Sequence, residues 1–144
     1  MKVVIVAVGR VKEKPLRAVI DDYYGRIGRY AKLHEVELED ARDVGAKITK
    51  AIPERARVVA LEVEGQRMSS EGLARVVERC EVGSVPALAF LIGGSYGLPP
   101  EVSKAADVRL SLSDMTLPHR LARLFLAEQV YRAFTILRNE PYSH

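Results

Sequence analysis

"PALAFLIGGSYGLPPEV", residues 86–102, decides how this chain folds. Its first seven residues form an unbroken apolar run that ends in two glycines, as a strand buried on both faces does. The next five, Gly93-Gly94-Ser95-Tyr96-Gly97, fit the Gly-x-Ser-x-Gly pattern of a serine hydrolase's nucleophile elbow. Such an elbow needs a sharp turn at the serine, a helix directly behind it, and then an acid and a histidine in that order. Asp107 or Asp114 and His119 or His144 do follow. Gly97 and the pair Pro99-Pro100 nevertheless stand between Ser95 and any helix, which can begin only at Pro99 or Pro100. No Gly-rich oxyanion loop follows the third strand, where "EGQRMSS" stands instead. The hydrolase reading of Ser95 is weak. The alternative is that Gly93 and Gly94 clear space for a ligand to lie against the main chain.

Working outward, "KVVIVAV" (2–8), "HEVELED" (34–40), "RVVALEV" (57–63) and "VRLSLS" (108–113) read as four further strands. Between them, apolar residues recur at helical spacing: Leu16, Val19, Ile20, Tyr23 and Ile27, then Val44, Ile48, Ala51 and Ile52, stopped near Pro53. Ser69 or Ser70 caps a third helix that runs through Cys80 on a stripe of Leu73, Val76 and Val77. A long helix spans about Pro118 to Arg138. Strands alternating with helices predict an α/β fold, a mostly parallel sheet with helices on both faces. No repeat or linker interrupts residues 1–144, so one domain is expected.

Bulk properties narrow the function. Of 144 residues, 48% are hydrophobic and 28% charged, the balance of a soluble globular protein. No apolar run reaches the roughly 18–20 residues that span a bilayer, and no signal peptide is evident. The one cysteine, Cys80, excludes an internal disulfide. These features predict a cytoplasmic protein without a membrane or metal partner. A net charge of +3 is mildly basic and does not by itself mark a nucleic-acid binder. Lys12, Lys14, Arg17, Arg26, Arg29 and Lys32 crowd the first helical region, and Arg120, Arg123, Arg132 and Arg138 the last.

In that last helix, Phe125, Leu126, Val130, Ala133, Phe134, Ile136 and Leu137 cover one broad face. Leu121, Leu124 and Tyr131 interrupt the opposite, arginine-bearing face. A helix packed only on its own sheet needs a narrower stripe, so the pattern favours a homodimer. The chemistry is expected beyond the carboxyl ends of the strands, where open α/β sheets bind ligands. A Gly-x-Gly-x-x-Gly dinucleotide loop and a P-loop are both absent after the first strand. What remains is the Gly-rich turn after strand four, the turn "SLSDMTLPH" after strand five, and the end of strand three near Leu61. Leu112, Met115 and Leu117 would wall the site, and Thr116 would cap the last helix, with Pro118 in its first turn.

"LIGGSYGL" (91–98), "LSLSDMTLPHRLARLFLAEQVYRA" (110–133) and "PYSH" (141–144) closely resemble the small bacterial SPOUT-class methyltransferases that modify pseudouridine in large-subunit ribosomal RNA. The resemblance runs from "VVIVAVGRVK" to the last residue. It implies a C-terminal trefoil knot, a homodimer, and S-adenosyl-L-methionine bound in the knot. The methyl group would go to N3 of pseudouridine 1915 in helix 69 of 23S rRNA, presented by the assembled ribosome. A catalytically inactive ribosome-binding SPOUT factor is the alternative. By matching position, the cofactor pocket would include Leu61, Gly93 and the run Leu112, Ser113, Asp114, Met115, Thr116 and Leu117, with Gly94 added from the same turn. Ser95 and Tyr96 occupy positions where relatives often differ, which argues further against a serine nucleophile.

Transfer to N3 also requires that the ring's N–H proton be taken. His119, in the first turn of a helix whose positive end favours neutral imidazole, is the candidate acceptor. Arg123, one turn later, would contact phosphate or steady charge on the ring. Tyr142 matches the family's C-terminal tyrosine, which reaches a partner's active site. Ser143 stands where relatives carry histidine, and His144 would substitute for it by a shifted geometry.

Overall fold

Five strands and five α-helices alternate along the chain in a computed structural model that describes residues 1–143. They are β1 (Lys2–Val8), α1 (Lys14–Ile27), β2 (Lys32–Leu38), α2 (Val44–Ala51), β3 (Arg57–Arg67), α3 (Ser70–Val82), β4 (Ala87–Ile92), α4 (Pro100–Ala105), β5 (Val108–Ser111) and α5 (His119–Leu137). A 3-10 turn, Pro141–Ser143, follows. All strands are parallel, in the order β2-β1-β4-β3-β5. β4, and β1 after the exposed Lys2, are apolar throughout because both lie inside the sheet and are covered on both faces.

Alternation along these strands divides the core. Val3, Ile5 and Ala7 of β1 and Leu88, Phe90 and Ile92 of β4 pack under α1, α3 and α5 with Ile27, Leu73, Val77, Leu126, Val130 and Phe134. Val4, Val6, Val8, Ala89 and Leu91 face the other way, against Val44 and Ile48 of α2 and Val102 of α4. Residues i and i+2 of a strand share a face, so one apolar run serves two layers.

Several boundaries differ from the sequence reading; β5, for one, ends at Ser111 rather than at 113. β2 occupies 32–38 rather than 34–40, which leaves Glu39 and Asp40 in the turn after it. β3 continues to Arg67, but Leu61 and Gln66 both pair with Leu110, so residues 62–65 leave the ladder as a bulge. Gly65 permits the return: a Cβ there would stand 2.8 Å from the Arg109 carbonyl carbon and oxygen. The last helix starts at His119 with Pro118 as its N-cap and no side-chain cap bond, so Thr116 does not cap it.

The faces of α5 also differ from expectation. Tyr131 and Arg123 point into the protein, whereas Phe125, expected inside, is 39% exposed beside Leu121 at 42%. Arg123 is only 1% exposed. A charge can be buried when it is paired, and Arg123 is.

Candidate active site

The turns after β3, β4 and β5 meet at the carboxyl edge of the sheet around a cavity of about 630 Å³. Leu61, Gly93, Gly94, Leu112, Ser113, Met115, Thr116 and Leu117 line it, together with His119 at the start of α5. The expected convergence of three turns is therefore present. Sequence reasoning missed Glu62 and Val63 of the β3 bulge, Ile92, and Ala122 one turn into α5, which complete the wall. Only Gly65 in "VEGQR" hinted that the strand is interrupted.

Asp114 does not line the cavity. The Ser111 hydroxyl donates to the Ser113 carbonyl at 2.9 Å, and the Ser113 hydroxyl accepts from the Met115 N–H at 3.0 Å. This tight turn sends Asp114 outward to an exposed ion pair with Arg67 at 2.9 Å. Both glycines that line the cavity are also hemmed in by the protein itself. A Cβ on Gly93 would lie 2.3 Å from the Gly97 carbonyl carbon and 2.5 Å from the Leu98 nitrogen. On Gly94 it would meet Asp40 Oδ2 and a Val8 methyl, both at 3.1 Å. A glycine at 93 is therefore required by the folding of its own turn.

His119 stands in the cavity wall with both ring nitrogens engaged. Nδ1 lies 2.9 Å from the Gly93 carbonyl oxygen, and Nε2 lies 3.3 Å from an Arg123 guanidinium nitrogen. The carbonyl can only accept and the guanidinium can only donate, so the ring is neutral with its proton on Nδ1. Burial, joined by the Arg123 charge and opposed by the Gly93 hydrogen bond, holds its pKa below the ordinary 6.5. The neutral state was expected, but burial rather than the helix end is its leading cause.

Arg123 does not reach the cavity as a free cation. Its guanidinium donates to Glu35 Oε2 and Glu37 Oε2, each at 2.7 Å, and to the Gly9 carbonyl at 3.3 Å. Burial alone would lower its pKa, but the bonds to Glu37 and Glu35 outweigh that and raise it. Burial likewise works against the Glu35 carboxylate, yet hydrogen bonds from Tyr24, Arg17 and Arg123 hold its pKa below the ordinary value. Tyr142 is distant from the cavity of its own chain. Its hydroxyl donates to Glu128 at 2.7 Å, and its ring meets Tyr131 edge-on at 4.6 Å. His144 lies outside the described residues. Ser95 lines the cavity, but the one histidine that lines it among the described residues, His119, has its nitrogens on Gly93 and Arg123.

A parallel α/β sheet with an apolar, main-chain-rich cavity beyond its carboxyl edge defines a domain that binds a small molecule at the strand ends. A family profile described as "Predicted SPOUT methyltransferase" matches residues 1–144. A ribosomal RNA large subunit methyltransferase H from Sorangium cellulosum (strain So ce56) is 53% identical over 146 residues, with all of both chains covered. One of the same name from Acetivibrio thermocellus is 41% identical, with 99% of each covered. Among solved structures, a probable methylase family protein from Haemophilus influenzae Rd KW20 superposes with a TM-score of 0.59 at 11% identity, covering 98% of this chain and 69% of its own. A probable methyltransferase from Bordetella pertussis Tohama I gives 0.55 at 10% identity, covering 92% and 95%. The chain belongs to the SPOUT methyltransferase family. It is an enzyme whose methyl donor is S-adenosyl-L-methionine.

The residues present fit that donor. The cavity falls within the roughly 300–1,000 Å³ of small-molecule sites. Leu61, Ile92, Leu112 and Leu117 offer aliphatic walls for a nucleoside base, and Glu62 adds a carboxylate for a cationic ligand.

Proposed function

We propose that the chain methylates N3 of pseudouridine 1915, in helix 69 of 23S rRNA, on assembled ribosomes. The observation that carries this reading is identity over the full length to proteins named ribosomal RNA large subunit methyltransferase H, 53% in one case. The cavity supports it, because eight of the nine residues expected to hold the cofactor line one space. When bound, the donor supplies an electrophilic methyl group. The protein's part is to hold that group in line with N3, where positioning supplies a large share of the rate.

The N3–H proton must leave. His119 is the cavity-lining imidazole, and it can take that proton through Nε2 once the lone pair is released from Arg123. Arg123 acts behind the wall and contacts neither phosphate nor base.

The working unit is a homodimer in the cytoplasm. Leu121 and Phe125 on α5 and Met115, 79% exposed in the neighbouring turn, form an apolar rim beside the cavity mouth, suited to a second copy. Tyr142 then acts across that seam, since its own cavity is out of reach.

Radiolabelled methyl transfer onto ribosomes from a strain lacking the modification tests the reading, with the modified base mapped by mass spectrometry. Label on N3 of that pseudouridine is expected. Label elsewhere, or efficient turnover on a naked helix 69 oligonucleotide, refutes the site or the ribosome requirement respectively. Calorimetry with S-adenosylmethionine separates the inactive-factor alternative, which would bind little.

A further inference from the structure

Behind His119 a polar cluster, half-buried around a fully buried Arg123, ties the second strand to the cavity wall. Arg123 is clamped between Glu35 and Glu37 at 2.7 Å each. Arg17 reaches Glu35 Oε1 at 2.7 Å and Glu37 Oε2 at 3.4 Å, and the Tyr24 hydroxyl donates to Glu35 Oε2 at 2.8 Å. Burying an arginine this deeply is expensive, and apolar side chains of similar volume often stabilise a fold as well or better. An apolar residue at 123 would still pack α5 on the sheet. It would not choose a tautomer.

The guanidinium has only donors, so the His119 nitrogen facing it must present a lone pair. The ring proton is thereby placed on Nδ1, which donates to the Gly93 carbonyl at 2.9 Å. The peptide group is planar, so fixing that carbonyl also fixes the direction of the Gly94 N–H in the same plane. Both glycines line the cavity. The chain of contacts therefore runs from two carboxylates on β2, through Arg123 and His119, to the main chain of the turn after β4. Charged and titratable groups reach this centre from α1 (Arg17, Tyr24) and β2 (Glu35, Glu37); the turn after β1 contributes the Gly9 carbonyl.

We propose that Glu35 and Glu37 are positioning residues for the methyl-donor pocket: acting through Arg123, they hold His119 in the Nδ1–H tautomer that pins the Gly93 carbonyl. The proposal rests on the reading of the cavity as the donor site.

Two measurements test it. Nitrogen-15 resonances of the His119 ring report the tautomer without any ligand, and calorimetry reports the affinity for S-adenosylmethionine. In the wild type, Nδ1 should carry the proton and Nε2 should accept. Glu37→Gln keeps an oxygen acceptor and nearly the same shape, so the fold survives while the clamp weakens. It should mix the two tautomers, move the Gly94 amide resonance and raise Kd about threefold or more. His119→Ala should raise Kd about tenfold. His119→Asn, whose amide N–H can replace Nδ1–H, should stay within about threefold of wild type.

The proposal is overturned if Glu37→Gln changes neither tautomer nor Kd, or if the asparagine variant binds as weakly as the alanine one. It is also overturned if both His119 variants bind normally and lose only turnover, by about a hundredfold, as removal of a proton acceptor alone would produce. Should the tautomer and the Gly94 amide respond while the wild type binds no S-adenosylmethionine, the donor reading fails and the pinning of the turn stands.

Discussion

Gly93→Ala and Gly94→Ala separate two explanations of the Gly-rich turn. At position 93 the new methyl carbon would sit 2.3 Å from the Gly97 carbonyl carbon, and ordinary contact begins near 3.4 Å. The turn must open by about 1.1 Å (3.4 − 2.3), and what blocks it is main chain leading into the buried Leu98. Overpacking of this kind costs about 1–3 kcal/mol, and a backbone obstacle places the variant near about 3 kcal/mol. At roughly 2–4 °C per kcal/mol for a chain of about this size, Tm should fall by about 10 °C. At position 94 the closest atoms, 3.1 Å away, are Asp40 Oδ2 and a valine methyl, and the exposed aspartate can swing aside. That cost should stay below about 1 kcal/mol. Thermal unfolding followed by circular dichroism, with calorimetric titration of S-adenosylmethionine, measures both consequences. Gly93→Ala should lose stability and at least about tenfold in affinity as the wall distorts, whereas Gly94→Ala should keep both nearly intact. If Gly94→Ala folds normally and abolishes binding, the glycines serve close approach of the ligand, and the steric argument is wrong.

Other consequences follow from the same contacts. Arg123→Met removes both 2.7 Å bonds and leaves Glu37 with Arg17 alone at 3.4 Å; urea unfolding should show a loss of about 2–4 kcal/mol, below the full cost for deeply buried pairs because both carboxylates are partly solvated. His119 and Glu35 both have folded-state pKa values below their ordinary 6.5 and 4.5, so each contributes stability that is complete above the ordinary value and is lost as pH falls through the lower folded one. Tm should therefore be level above about pH 7 and decline in two stages on acidification, the first from His119 and the second, below about pH 4.5, from Glu35; a Tm that rises between pH 6.5 and 5 would contradict the His119 assignment. A fluorophosphonate probe should leave Ser95 unlabelled, because no histidine lone pair is directed at its hydroxyl.

Much of the architecture was legible because burial on two faces writes itself into composition. "KVVIVAV" and "ALAFLI" are strands because nothing else accommodates six or seven consecutive apolar residues bounded by glycine or turn residues. Ser69 caps α3 as its position suggested, accepting from the Gly72 N–H at 3.0 Å. The motif around 112–117 placed the cavity correctly. What pattern reading could not supply was pairing across the fold. "HEVELED" alternates as a half-covered strand does, and Arg123 reads as a group free to meet phosphate or the substrate ring. Each assignment is reasonable until the two meet, when the glutamates and the arginine satisfy one another out of water. Asp114 was misplaced for a related reason: hydrogen bonds inside the turn, invisible in residue spacing, decide which way it faces.

The arginine clusters carry this lesson into function. Around α1 and α5, Arg26 pairs with Asp22, Arg120 with Glu13, Arg132 with Glu128 and Arg138 with Glu81, while Arg17 and Arg123 are held by glutamates of β2. Arg26, Arg132 and Arg138 also lie over tyrosine rings. A guanidinium already neutralised and stacked gives little of the sequence-independent phosphate attraction that dominates most nucleic-acid binding. Six arginines that look like an RNA-binding surface in the sequence are thus already paired: Arg17 and Arg123 with the sheet, Arg26 and Arg132 within their own helices, Arg120 with the residue before α1 and Arg138 with α3. With a net charge of only +3 left over, the ribosomal substrate proposed above would have to be recognised through shape and the cavity mouth rather than through bulk charge.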